Sequence, residues 1–468
     1  MAELGSQGNA AIWNLARLKA ATAELEAALM KNRAVSPETI LALAQTADLP
    51  DALRPRAAQE HGRVAGHVMT TALRGVSIHW SQLDGIARQV SKAGGPHDLS
   101  HDLLAYLLAC SKIIETLKTT GLHRGDTGDF QRSSDVLVGI IDQVAKDYPD
   151  ARSLNILRGG VASVSDRDAA RRYYAEAIRL GEDGMATSIY DLGAHTYFSH
   201  DEVMANRSAE MVEAVSANVA PALAERPSSH DPQVNLLWSV DVGFLEIYGP
   251  YWFGLAPYLM RQGMGFVFAV VGEADRVAAV VEESRALIEQ LARFHRLPDP
   301  SSYARAFTFV QVDLPPGVGQ AKTFYACARM LVAERLLDAG DRPVLMLDAD
   351  FTAHDPVEPY VRQLSAADLA VSTIRGLGVL WPWRRTIANV VWLKPCADSR
   401  KLLSHASDYI TAGLGTTPSW TLDQNALSYA VEMMGDTPIL NAQDVRRPFA
   451  QDKIRGPFEA VWRESQTA

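Results

Sequence analysis

The feature that most constrains this chain is Val344-Leu345-Met346-Leu347-Asp348-Ala349-Asp350, an uninterrupted apolar run that stops at two carboxylates one residue apart. A run without polar alternation reads as a strand buried on both faces, the kind found inside parallel sheets. The two carboxylates then lie at its C-terminal end, where open α/β sheets hold their ligands. Two hard oxygen donors suit Mg²⁺ or Mn²⁺, ions that keep positions open for phosphate and water instead of being caged by protein.

Around that run the chain alternates between strand-like and helix-like segments. Residues 233–240, 265–271 and 307–312 read as strands, and 250–262, 274–294 and 322–339 as helices. The last helix leads into the strand ending at Asp348, which is therefore the fourth. Residues 368–372 and 389–395 read as two more strands. Such alternation implies a parallel, doubly wound sheet with right-handed crossovers.

The first half is different. From about residue 10 to 225 it is rich in Ala and Leu, with apolar residues at helical spacing such as Leu15, Leu18, Leu25 and Leu29, and breakers at 93–96 and 126–129 divide it into helices. The polar, Pro-containing stretch 225–232 separates the halves, giving an all-helical domain over 1–226 and an α/β domain over 233–468. A chain of 468 residues is too long for one ordinary core, which agrees with that division. Within the helical half, residues 142–181 carry a small residue at a helix crossing, aromatics on the adjoining face and a turn before the next unit. They resemble a tetratricopeptide repeat over about one and a half units; a solenoid then requires degenerate neighbours from 30–140 and 183–222.

A formal net charge of -10 and a pI near 5.7 disfavour a partner recognised mainly through phosphate charge, so nucleic acid is excluded as the expected ligand. The three cysteines, Cys110, Cys327 and Cys396, stand far apart in no CxxC spacing, which suggests neither a disulfide framework nor a zinc site. No basic stretch followed by an apolar one opens the chain, and no window approaches the roughly 20 apolar residues of a membrane span. These features lead to an expectation of a cytoplasmic protein without a transmembrane segment.

Over about residues 233–450 the order of elements resembles the GT-A glycosyltransferase fold, in particular the glycogenin and bacterial galactosyltransferase type of retaining enzyme. The resemblance implies an α/β GT-A domain, Rossmann-like with a doubly wound and mostly parallel sheet, fused to the all-α, TPR-like N-terminal domain. It also implies roles for individual residues. Asp241, ending the first strand, and Phe244 three residues later match the acidic and aromatic residues that bind the nucleotide. Lys322, Tyr325 and Arg329 match the helix before the metal strand. Lys322 and Arg329, seven apart and so on one helical face, would bind the donor. Asp348 and Asp350 match the DxD motif: Asp350 as direct ligand of Mn²⁺ or Mg²⁺, Asp348 shared between metal and ribose. Trp420-Thr421-Leu422-Asp423-Gln424 matches the stretch that opens a helix beneath the sugar, with Thr421 as its cap, Asp423 on donor hydroxyls and Gln424 beside the anomeric carbon.

Two departures accompany the resemblance. The Asn-x-Gly expected before the strand at 389–395 is missing, and the late His that completes the metal shell has no counterpart in residues 430–468. His354 and His405 are the nearest imidazoles, and Arg446 and Arg447 with Lys453 and Arg455 are basic groups that could supply part of the missing charge. The implied activity is transfer of a sugar from a nucleotide-diphosphate donor, a UDP-sugar first, to a glycan or protein acceptor that the helical domain recruits. Retention is what Asp423-Gln424, in place of a dedicated base, implies, since inverting enzymes need a carboxylate positioned on the acceptor hydroxyl.

Two alternatives stand beside it. Residues 345–352 also resemble the first motif of haloacid-dehalogenase-type phosphatases, with Asp348 as nucleophile, Asp350 as acid/base, and Ser372 and Lys394 binding phosphate. The third reading is a non-catalytic helical-repeat scaffold carrying a degenerate GT-A domain.

Overall fold

The computed structural model describes residues 2–44, 53–73, 76–93, 99–122, 125–180, 192–227, 231–353, 355–415 and 421–451. The chain divides into two compact units: Met1–His200 together with Ile374–Arg385, and Asp201–Thr373 together with Thr386–Ala468.

The first unit contains α1 (Ala2–Lys31), α2 (Pro37–Ala44), α3 (Arg54–Leu73), α4 (Leu83–Ala93), α5 (Leu99–Thr119), α6 (Thr127–Arg132), α7 (Ser134–Ala145), α8 (Arg152–Ala162) and α9 (Arg167–Leu180). Its core is the set of apolar positions at helical spacing, among them Leu25, Leu29, Val64, Val68, Leu104 and Leu107. Where α8 meets α9, Gly159 faces the Tyr174 ring so closely that a Cβ would stand 2.5 Å from it. A glycine is required there by that approach.

The second unit contains α10 (His200–Asn206), α11 (Ala209–Ser216), α12 (Val219–Ala224), β1 (Val234–Asp241), α13 (Val242–Met260), β2 (Met264–Val271), α14 (Ala274–Phe294), α15 (Pro300–Arg305), β3 (Phe307–Val312), α16 (Ala321–Gly340), β4 (Val344–Leu347), β5 (Phe351–Ala353), α17 (Glu358–Leu364) and β6 (Leu369–Thr373). After α18 (Pro382–Arg385), which belongs to the helical unit, come β7 (Thr386–Leu393), α19 (Ala397–Leu414), α20 (Leu422–Met433), β8 (Leu440–Asn441) and β9 (Phe449–Gln451). Seven strands form one sheet in the order β3-β2-β1-β4-β7-β6-β8, and β5 pairs with β9 in a small antiparallel ribbon. One face of the sheet carries Trp238 stacked on Phe268 (4.8 Å between centroids), packed with Trp252 and Phe253 of α13. On the other face Ser239 Oγ donates to the Tyr325 carbonyl of α16 (2.6 Å).

The sheet is mixed, not uniformly parallel. β4 runs parallel to β1 but antiparallel to β7, which is also antiparallel to β6. Every other pairing is parallel. From β1 the chain builds outward through β2 to β3, then returns along α16 to the other side of β1 as β4. The strand order reverses between β1 and β4, and such a switch point opens a crevice at the carboxyl ends of the strands.

Three further differences from the sequence expectation have physical causes. The helix expected over 250–262 begins at Val242, because the Asp241 carboxylate caps it, accepting from the Phe244 N–H (2.6 Å). Pro250 and Pro257 stand inside that helix, whose buried side is held by Leu245, Trp252, Phe253 and Leu259. Residues 201–226 fall in the sheet unit, short of the expected boundary at 226. Arg207 pairs with Asp408 of α19 (3.1 Å), Asn218 donates to the Gln311 carbonyl (3.0 Å), and Arg226 donates to Thr308 Oγ1 (2.9 Å).

The third is the β6–β7 connection, Ile374–Arg385, which is part of the helical unit. There Arg385 donates to the Ser163 carbonyl and hydroxyl (3.2 and 2.9 Å), and Trp383 packs against Tyr174 (5.5 Å between centroids). Gly376 N–H donates to the Gly125 carbonyl (2.7 Å). Gly160 lies so close to Leu380 that a Cβ would stand 2.0 Å from its carbonyl oxygen. Among the described residues no helix is long and apolar enough to cross a membrane.

Candidate functional site

At the switch point a cavity of about 210 Å³ opens in the sheet unit. Its walls are the carboxyl end of β1 (Ser239 to Asp241) and the start of α13 (Phe244), the first turns of α16, the β4–β5 turn (Asp348 to Asp350), the beginning of β7 (Ile387 to Asn389) and the first turn of α20. Asp241, Phe244, Lys322, Arg329, Asp348, Asp350, Asp423 and Gln424, drawn from four separate stretches of sequence, all line it, as does Tyr325.

Arg329 organises the floor. It is 4% exposed and donates through Nη1 to the Leu347 carbonyl (3.0 Å) and to Asp348 Oδ1 (2.8 Å), while Nη2 lies 3.8 Å from Asp423 Oδ2. One guanidinium thus joins the carboxylate after β4 to that of α20. Burial pulls the guanidinium pKa down, and Asp348 and Asp423 together more than reverse this, leaving it above its ordinary value. Burial acts oppositely on Asp423. It lifts the carboxyl to about 6, Arg329 opposing the rise and Asp348 adding to it.

The other groups differ in how strongly they are held. Asp241 is both cavity wall and helix cap, one carboxylate oxygen being taken by the Phe244 N–H. Thr421 occupies the cap position of α20, but its side chain makes no capping bond; Asp423 Oδ1 accepts from the Gln424 N–H (2.8 Å) instead. Lys322 is exposed at the start of α16. Burial, with Asp241 nearby, raises the Tyr325 hydroxyl pKa. With every group ionised, the four carboxylates outnumber the two cations, Lys322 and Arg329, so the cavity favours a positive ion.

That donor set fits a divalent cation completed by ligand oxygens. Asp348 and Asp350 are hard oxygen donors on one tight turn, and no group of three His, Cys, Asp or Glu among the described residues could hold a metal on its own. A cation held by two carboxylates would take its remaining positions from water or a bound ligand.

Several sequence candidates lie elsewhere. His405 is in α19 with its ring edge-on to Tyr429 (6.4 Å). Arg446 pairs with Asp355 (3.0 Å), and Arg447 lies over the Phe351 ring (5.1 Å) while donating to the Phe449 carbonyl. Neither arginine lines the cavity. Trp420, His354, Lys453 and Arg455 lie outside the described residues.

The phosphatase assignment meets a topological obstacle. β7 is antiparallel to β4, with Val344 opposite Leu393 and Leu347 opposite Val390, so Lys394 follows β7 out at the amino end of β4. It pairs there with Asp368 (3.1 Å), one strand length from Asp348, and neither it nor Ser372 lines the cavity. Conversely, sequence reading gave no role to Asn389, whose carbonyl accepts from the Asp348 N–H (3.2 Å). The only sequence signal for it was its position at the head of an apolar run, and that run does not reveal its direction.

No protein-family model matches this chain, and neither a curated protein nor a solved structure matches it significantly.

Proposed function

We propose that the sheet unit is a GT-A-type, metal-dependent glycosyltransferase. It moves a sugar from a nucleotide-diphosphate donor, a UDP-sugar foremost, to a glycan or protein acceptor with retention of configuration. The observation that carries the reading is convergence: the base-binding pair Asp241 and Phe244, the cations Lys322 and Arg329, the DxD carboxylates Asp348 and Asp350, and Asp423 with Gln424 share one switch-point cavity. At about 210 Å³ the cavity is smaller than the roughly 300–1,000 Å³ of ligand sites in general, so it holds only part of a nucleotide-sugar.

In this reading Phe244 stacks on the nucleobase and Asp241 accepts from the base or ribose with its second oxygen. Asp348 and Asp350 hold Mn²⁺ or Mg²⁺, which when bound supplies Lewis-acid stabilisation of the leaving diphosphate. Lys322 adds a cation at the cavity rim. Arg329 fixes Asp348 and Asp423 relative to each other, so that the metal end and the sugar end of the cavity keep one spacing. Asp423 accepts from donor hydroxyls, and Gln424 faces the reacting carbon.

The helical unit is read as a degenerate tetratricopeptide-like array that recruits the acceptor. The close α8–α9 crossing at Gly159 and Tyr174 supports that reading. Three free cysteines, Cys110 and Cys327 buried and Cys396 partly so, agree with a reducing, cytoplasmic setting.

The test is donor turnover. Incubated with Mn²⁺ and a panel of UDP- and GDP-sugars, the protein is expected to release nucleoside diphosphate from one of them and no phosphate from p-nitrophenyl phosphate. Phosphate release without sugar-nucleotide turnover would install the phosphatase reading, and silence in both assays the scaffold reading.

A further inference from the structure

The amino end of the sheet, where α13 and α14 return to start β2 and β3, carries the most exposed large apolar side chain among the described residues. Phe294, in the last turn of α14, is 80% exposed, and the His295 ring stands edge-on to it (5.4 Å between centroids). The turn that presents it is fixed. Leu297 N–H donates to the Ala292 carbonyl (2.9 Å) and Arg296 N–H to the Arg293 carbonyl (3.0 Å), capping α14 with Arg296 in the left-handed region (φ 55°). Glycine is the usual residue at such a cap, so this chain keeps a cation at the tip against the backbone's preference.

Beside the tip lies a second cavity, of about 320 Å³. The end of α13 (Pro257, Met260 and Arg261) walls it together with Leu297, Pro298 and Tyr303, and Tyr258 beside that wall is exposed. The charges here are unbalanced. Arg261, Arg296 and Arg305 are exposed, and none of them makes an ion pair among the described residues. Glu289 is taken up by Arg293 (2.7 Å) and Ser301 (3.0 Å), and the Asp299 carboxylate caps α15, accepting from the Ser302 N–H (2.9 Å). A chain with a formal net charge of -10 thus has a local excess of positive charge around its most projecting aromatic ring.

We infer that this end of the sheet unit docks on the surface of a bilayer carrying anionic lipid, with Phe294 inserted among the headgroups and Arg261, Arg296 and Arg305 facing lipid phosphates. The inference does not depend on the donor reading. An aromatic ring flanked by cations suits the interfacial layer, where buried apolar area and attraction to anionic lipid add. Phe294 is the only exposed large apolar residue of α14. A protein interface would bury such a ring within a packed apolar core, whereas a headgroup layer closes around a lone one. Docking in this way also orients the molecule. The strands run from this end to the switch-point cavity, and β2 with its eight residues spans about 26 Å, so that cavity would open on the side away from the bilayer.

Vesicle sedimentation of the full chain tests the inference, using phosphatidylcholine with and without phosphatidylserine in about 0.1 M salt. The protein is expected to pellet with the mixed vesicles and to stay in solution with phosphatidylcholine alone. Phe294→Ser is expected to weaken partitioning by about tenfold or more, and Arg296→Gln by about fivefold. Both side chains are exposed, so both variants are expected to unfold at the parent's temperature. Equal binding to the two kinds of vesicle, binding to neither, or binding that both substitutions leave untouched overturns the inference. A change of oligomeric state in Phe294→Ser, read by light scattering without vesicles, assigns the surface to a second copy of the chain and overturns it as well.

Discussion

Replacing Asp423 by asparagine should stabilise the protein above neutrality while impairing it as a donor-binding protein. Asp423 is 6% exposed, and its carboxyl pKa rises from an ordinary 3.8 to about 6, mainly through burial. The folded state therefore holds the proton more tightly than the unfolded state does. Stability is then undiminished below the unfolded value and declines as pH rises from about 4 to about 6. Two pKa units correspond to about 3 kcal/mol, which the wild type loses in full once pH exceeds the folded value. Asparagine cannot ionise, retains the oxygen that accepts from the Gln424 N–H, and leaves Arg329 paired with Asp348. Urea unfolding of both proteins in EDTA, compared at about pH 4 and about pH 7.5, isolates Asp423 and its coupling to Arg329 and Asp348, because titrations elsewhere in the fold are common to the two chains. The variant is expected to gain about 2–3 kcal/mol relative to wild type between those conditions. A difference that stays flat with pH, or moves in favour of the wild type, would refute the claim that Asp423 is a buried carboxyl held at energetic cost.

Other outcomes follow from the same geometry. Gly160→Ala drives a Cβ to 2.0 Å from the Leu380 carbonyl oxygen, a backbone atom that cannot swing aside, and should destabilise the helical unit by about 1–3 kcal/mol in thermal unfolding. Lys394→Met should leave donor turnover unchanged and cost less than about 1 kcal/mol, since its partner Asp368 is a surface group at the far end of the sheet; a collapse of activity would return the phosphatase assignment.

What the sequence made legible was set by how local the signal is. Continuous apolar runs marked β1, β2 and β3, and α14 and α16 emerged within a residue or two of their expected limits, because periodicity and buried runs are local properties. The start of α13 was hidden by Gly243, Gly249 and Pro250, which lower helix propensity that burial of Trp252 and Phe253 then overrides. The direction of β7 is not written in Val390 to Leu393, since a buried run has the same composition either way. Nor does Ile374–Arg385 advertise that Trp381 and Trp383 fill the core of the helical unit, an association across more than two hundred residues. At the cavity, short motifs singled out Asp348, Asp350, Asp423 and Gln424. The coupling of Asp348 to Asp423 through Arg329 depends on three elements meeting, which no spacing encodes. Asn389 lacked a motif altogether.

In the proposed function the carboxylates after β4 hold a metal that in turn holds a sugar nucleotide. Calorimetric titration of the full chain with UDP, GDP and their common sugar conjugates, each with and without Mn²⁺ and repeated on Asp350→Ala, tests it most directly. One conjugate is expected to bind only when Mn²⁺ is present, and the variant to lose this binding. Metal-independent binding that survives in Asp350→Ala, or no binding of any nucleotide, would contradict it.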